Sequence, residues 1–119
     1  MSESVPATGT AMSPKILVII PAYNEASIIG SVIAGVRQKL PDTPIAVVDD
    51  GSRDDTVMAA LQAGAGVVLT HPVNLGSGGA LQTGYRYAVK EGYDVVVQID
   101  GDGQHDPEYV PALVAALNE

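Results

Sequence analysis

The chain of 119 residues contains no cysteine, no tryptophan and no phenylalanine. Without cysteine it can form neither a disulfide nor a thiolate metal site. Without Phe or Trp its core must be built from Val, Ile, Leu and Ala, which suits an α/β domain better than an aromatic-rich β-sandwich. Basic residues are also scarce: six Lys and Arg stand against 14 Asp and Glu, a formal net charge of -8. A nucleic-acid surface needs clustered Lys and Arg, so that class is excluded. An acidic balance is compatible with a cation site or simply with solubility. No apolar run reaches the ~18 residues of a membrane span. The leader "MSESVPATGTAMSP" lacks both the basic and the apolar regions of a signal peptide. It reads as a disordered segment over residues 1–14, followed by one domain over 15–119. The expected compartment is the cytoplasm, including its membrane face through a further part or partner. A domain of this length buries roughly two-thirds of its unfolded surface.

What is present is an alternation of apolar runs and helical periods. "KILVII" at 15–20 is a short β-branched run ended by Pro21, the pattern of a buried strand. Ile28, Ile29, Val32, Ile33, Val36 and Leu40 then recur at helical spacing, with Asn24 as the expected N-cap and Pro41 as the stop. "IAVVDD" is a second strand. A short helix carrying Val57, Met58 and Leu61 follows, capped by Asp54 or Asp55 and ending at Gly64. "VVLT" is a third strand. "NLGSGGALQTG" opens a helix reaching about Lys90, with Leu81, Tyr85, Ala88 and Val89 inward. "DVVVQID" is the fourth strand, and Asp106-Pro107 begins a last helix bearing Val110, Leu113, Val114 and Leu117. Strands and helices alternating in this way imply right-handed crossovers. The predicted fold is α/β, an open parallel sheet with helices on both faces.

In such sheets ligands sit outside the carboxyl ends of the strands. Each run here delivers polar groups at that end: Tyr23, Asn24 and Glu25; Asp49 and Asp50; His71, Asn74 and the glycine loop; Asp100, Asp102 and Gln104. Carboxylates gathered on one rim repel one another unless a cation or hydrogen-bonding ligand compensates. Asp54, Asp55 and Asp106 read as helix caps. Asp49, Asp50, Asp100 and Asp102 read as functional, because the pattern repeats on different strands. An extended Asp100-Gly101-Asp102 would point both carboxylates to one side, with Gly101 leaving backbone room for an approach. Two hard oxygen ligands suit Mg²⁺ or Mn²⁺. Several familiar motifs fail. The EF-hand pattern has His105 where Gly is needed and Pro111 where Glu is needed, and the glycine loop lacks the Lys of a phosphate-binding P-loop. A dinucleotide fingerprint counted from Gly76 meets Leu81 at its third Gly. A receiver domain would need an Asp after "VVLT". The loop can still offer backbone N–H groups to phosphate. His71 and His105 fit ordinary loop positions as well as ligand contacts.

Taken in order, "VIIPAYNEASIIGSVI", "VVDDGSRDDT", "NLGSGGALQTGYRYA" and "VQIDGDGQHDPEYV" resemble family 2 glycosyltransferases of the GT-A fold. The resemblance is to the branch of dolichyl- and polyprenyl-phosphate mannosyl- and glucosyltransferases. It implies a Rossmann-like nucleotide-binding half with strand order 3-2-1-4 and a UDP- or GDP-linked sugar donor. Pro21, Ala22, Tyr23 and Glu25 would line the base and ribose pocket, and Asp50, with Asp49 beside it, would hydrogen-bond the nucleoside. Gly78, Gly79 and Ala80 would pass close to the donor. Asp100 and Asp102 would hold the metal, with Gln104 near the ion. The resemblance further implies inverting transfer, with a polyprenyl phosphate as acceptor. The family pattern continues well beyond the DxD helix, so the expectation is a donor-binding half, inactive alone and without an assignable catalytic base. The alternative is a non-catalytic nucleotide-binding or assembly module working with a partner chain. Strand order 3-2-1-4 also leaves the fourth strand on an edge, which invites self-association or a partner.

Overall fold

The computed structural model describes residues 14–101. Four strands, β1 (Ile16–Ala22), β2 (Ile45–Asp49), β3 (Val67–Thr70) and β4 (Val95–Gln98), alternate with α1 (Ile29–Lys39), α2 (Thr56–Gln62) and α3 (Ser77–Lys90). All pairings are parallel and the sheet order is β3-β2-β1-β4, as predicted. In register, Ala22 faces Asp49, and Ile16 faces Val95. The order reverses between β1 and β4, the point at which open α/β sheets form a crevice. All but the last residue of the expected 1–14 leader, and the last helix opened by Asp106-Pro107, lie outside the described residues.

Strand alternation divides the core into two layers. Val18, Ile20, Val47 and Val97 pack with Ile29, Val32, Ile33 and Val36 of α1 and Ala60 of α2. Leu17, Ile19, Ala46 and Val48 pack with Ala80 and Ala88 of α3. Both faces of the sheet are therefore covered by helices, and the two central strands are continuous apolar runs for that reason.

The helix faces differ from expectation in informative ways. Asn24 is not a cap: α1 starts five residues later, without a side-chain cap bond. Asn24 instead adopts φ +52°, a left-handed conformation that Asn tolerates better than most residues. On α2 the buried residues are Thr56 and Ala60, while Met58 and Leu61 are exposed. Asp54, not Asp55, supplies the cap oxygen, accepting the Thr56 N–H at 3.1 Å. On α3 the face against the sheet is Ala80, Gly84 and Ala88. Leu81 is half-buried against that layer, but Tyr85 points outward and Val89 is 78% exposed. The physical cause is a close approach: a Cβ on Gly84 would lie 2.7 Å from Ile19 Cγ2. Small residues at spacing four let α3 sit directly on β1. Helical periodicity alone cannot distinguish that stripe from the larger one beside it.

Candidate functional site

A cleft of about 400 Å³ opens at the carboxyl ends of β1 and β4, at the topological switch point. Pro21, Ala22, Tyr23 and Glu25 form one side. Asp50, Asn74, Gly76, Ser77 and Ala80 form another, and Asp100 and Gly101 close the third. Seven of the predicted site residues (Pro21, Ala22, Tyr23, Glu25, Asp50, Ala80, Asp100) thus converge on one concavity from three strand ends and the start of α3.

Three predicted residues do not line it. Asp49 is buried at the end of β2, on the strand face that carries Ile45 and Val47 toward α1 and α2. One of its oxygens accepts the Ser52 N–H at 3.3 Å, tightening the turn after β2, and the other has no hydrogen-bond partner among the described residues. Gly78 and Gly79 fall within the first turn of α3, and a Cβ on Gly79 would meet Leu75 Cβ at 2.8 Å. Gly79 is therefore small for the loop's own packing. Asp102 and Gln104 lie outside the described residues, as does His105. Among the described residues no group of three or more His, Asp or Glu side chains could hold a metal ion.

Gly101 has a different reason from the one expected. A Cβ there would stand 2.7 Å from Pro21 O and 3.1 Å from Ala22 Cβ. Its N–H also donates to Pro21 O at 3.2 Å. The group approaching Gly101 is the end of β1 itself, and this contact places Asp100 at the cleft mouth.

Asp50 is the most constrained member of the site. It is 3% exposed; its Oδ1 accepts the Leu75 N–H at 2.8 Å and lies 2.8 Å from His71 Nδ1. Oδ2 accepts the Gly76 N–H, also at 2.8 Å. Asn74 Nδ2 donates to the Asp50 carbonyl at 3.2 Å. Burial alone would raise the carboxyl's pKa, but the Leu75 N–H, the His71 ring and the Gly76 N–H together hold it below the usual value of 3.8. Asp50 is thus an anion held largely by backbone donors, with acceptor capacity left on Oδ2.

The loops after β1 and β2 are stitched together. Asn24 N–H donates to Ser52 Oγ, and Asn24 Oδ1 accepts from the Arg53 N–H, both at 2.8 Å. Glu25 N–H donates to Thr56 Oγ1 at 2.9 Å, and Ala26 N–H to Asp54 Oδ2 at 3.2 Å. Asn74, expected at the rim, lines the cleft, and the missed participants Gly76 and Ser77 belong to the segment that reads as a glycine loop. Their sequence signal is Gly76 itself, whose φ of +88° turns the chain into α3.

Comparison with known proteins gives a consistent picture. The profile of Glycosyl transferase family 2 matches residues 17–119. An undecaprenyl-phosphate mannosyltransferase of Micrococcus luteus is 36% identical over 107 residues, covering 87% of this chain and 44% of that protein. A polyprenol monophosphomannose synthase of Mycolicibacterium smegmatis is 35% identical, covering 86% and 40%. Glucosyl-3-phosphoglycerate synthase from Mycobacterium tuberculosis, solved with Mn²⁺, UDP and phosphoglyceric acid, superposes with a TM-score of 0.71 at 35% identity, covering 92% of this chain and 40% of that one. The chain therefore spans less than half the length of these relatives.

Proposed function

The chain belongs to glycosyl transferase family 2, and from that premise we propose that it binds a nucleotide-diphosphate sugar in the cleft between β1, β4 and the 74–77 loop. The observation that carries the reading is convergence. Residues from three strand ends and the start of α3 meet at the switch point, where nucleotides bind in open α/β sheets. Pro21, Ala22, Tyr23 and Glu25 would face the base and ribose. Asp50, an acceptor only, selects a nucleoside group that donates a proton. The first turn of α3, next to Gly78, Gly79 and Ala80, directs N–H groups toward the diphosphate.

The carboxylate of Asp100 at the cleft mouth is a hard oxygen donor and fits Mg²⁺ or Mn²⁺, which bind one or two carboxylates and complete their shell with phosphate oxygens. Asp102 and Gln104 would complete the protein ligands. A bound ion supplies positive charge against the departing diphosphate. The names of the two mannosyltransferase relatives support a polyprenyl phosphate as acceptor; inverting transfer rests on the family resemblance alone. Donor binding is the part of that reaction proposed for this chain; acceptor binding and the catalytic base are assigned to no residue in it.

The test is a thermal-shift series with UDP, GDP, CDP and dTDP, each with and without Mn²⁺. A ligand binding only the folded state at a hundred times its dissociation constant adds about 2.7 kcal/mol. The expected outcome is a shift with UDP or GDP that grows with Mn²⁺, the Mn²⁺ component disappearing in Asp100→Ala. No shift with any nucleotide sinks the reading.

One feature favours a second reading, an assembly module acting with another chain. Among the described residues β4 pairs only with β1. Val95, Ile99 and Gly101 direct their N–H groups to Lys15, Ile19 and Pro21 of the β1 side, so by alternation those of Val96 and Gln98 face the other way. An open row of this kind is a template for another strand. Light scattering over a wide concentration range should show self-association that Val96→Pro weakens. A species monomeric throughout would remove this reading and leave donor binding intact.

A further inference from the structure

Behind the cleft wall lies a hydrogen-bonded chain whose middle member touches no part of the cleft. His71 sits just after β3, with its side chain 8% exposed. Its Nδ1 lies 2.8 Å from Asp50 Oδ1, at the end of β2. Its Nε2 lies 2.7 Å from Thr83 Oγ1, on the second turn of α3. The imidazole therefore spans from the central sheet to the helix that follows the glycine loop. Asp50, Asn74 and Gly76 line the cleft; His71 and Thr83 do not.

We infer that His71 is a positioning residue: anchored by Thr83, its ring orients the Asp50 carboxylate, and through that carboxylate the backbone of residues 74–76 that forms the cleft wall. The argument is one of donors and acceptors. An ionised carboxylate only accepts, so Nδ1 carries the proton. In the neutral ring Nε2 is then an acceptor, and the Thr83 hydroxyl supplies the hydrogen it needs. The contact with α3 thus selects the tautomer that Asp50 requires. Removing the ring leaves Oδ1 with the Leu75 N–H alone, and the carboxylate loses the bond that fixes its rotation. Leu75 and Gly76 then lose a properly aimed acceptor, and the wall moves with them. Asn74, bonded to the Asp50 carbonyl, is drawn in by the same anchor. The consequence for ligand binding rests on the donor-site reading; the consequence for the loop does not.

Three substitutions separate positioning from space filling. Asn at position 71 places its amide nitrogen near the Nδ1 position and keeps the Asp50 contact. Gln is closer to His in size but reaches toward the Nε2 position, keeping Thr83 and abandoning Asp50. Ala abandons both. The experiment measures amide hydrogen exchange at Leu75 and Gly76 in the full chain, with the buried Val47 amide as the reference for global unfolding. His71→Gln and His71→Ala should speed exchange at the two loop amides by about tenfold or more, consistent with losing a hydrogen bond to a charged group. Val47 should stay near its wild-type rate, and His71→Asn should stay near wild type at all three amides. UDP affinity with Mn²⁺ should follow the same order.

If His71→Gln protects the loop as well as wild type, or His71→Asn is as poor as His71→Ala, the ring is only a filler and the inference fails. Nitrogen NMR of the wild-type ring is the second measurement, independent of whether any variant folds. An Nδ1–H tautomer that loses its dominance in Thr83→Val supports the inference, and an Nε2–H tautomer in the wild type overturns it. Should the wild type bind neither UDP nor GDP, the donor reading falls, and the exchange ranking still decides the role of His71.

Discussion

Replacing Asp50 with alanine is expected to cost about 3 kcal/mol or more of folding stability, because the Leu75 and Gly76 N–H groups and the His71 ring N–H lose their acceptor together. Leaving one buried donor unpaired costs roughly 1–3 kcal/mol, and loop movement that lets water in recovers part of the total. Urea unfolding at neutral pH measures it, and a loss below about 1 kcal/mol would mean that the loop holds itself. The same carboxylate predicts an acid response. Its folded-state pKa lies below the ordinary value, so its contribution is fully present above about pH 4 and is lost as pH falls through the folded pKa. Asp54 carries the same sign, its carboxyl held low first by the Thr56 hydroxyl. Comparing wild type with Asp50→Asn at each pH removes that shared part. The stability difference should shrink in acid; a difference independent of pH would mean the carboxylate is not held as an anion.

Gly51→Ala should be of similar size through a different cause. Gly51 has φ +79°, where a side chain costs roughly 1–2 kcal/mol. Its added Cβ would also stand 2.8 Å from Val73 C and 2.9 Å from Asn74 N. These are backbone atoms, which cannot turn aside as a side-chain tip can. Overpacking of this kind costs typically 1–3 kcal/mol, for a sum of about 2–5. In a domain of this size that lowers the melting temperature by roughly 10 °C or more. Nucleotide affinity should fall as well, because the strain is relieved by moving Asn74 away from the cleft. A variant that melts near the wild-type temperature would show that the approach of the two loops is slack.

The sequence carried the fold legibly because the strands are apolar runs that alternate with helical periods, and both patterns are local. The cleft was legible for a related reason: polar residues ending a buried strand must emerge at the sheet's rim, as Glu25, Asp50 and Asp100 do. What stayed hidden depends on contacts between distant segments. Asn24 has the residue type of a cap, and nothing local says that it turns left-handed to engage Ser52 and Arg53. Val89 and Tyr85 share the period of a core stripe, yet Gly84 brings the helix so close to Ile19 that only the small stripe fits. Asp49 and Asp50 are neighbours of identical chemistry. Strand parity alone sends one under the turn and the other to the cleft, and parity becomes useful only once the register is known. His71 was legible only as a polar residue at the rim; its bonds to Asp50 and Thr83 were not, because those partners lie 21 and 12 residues away.

The clasp between the first and second loops bears on how this cleft can be re-engineered. Asn24, Glu25 and Ala26 each find their partner on the segment from Ser52 to Thr56, and every bond joins a side chain of one loop to the backbone of the other. Neither loop is therefore a free-standing cassette. A graft that imports the 23–26 segment from a relative imports half of a lock without its key. Transplanted with residues 52–56, the segment that clasps it from outside the cleft, the two pieces travel as a single part and keep both halves of the lock.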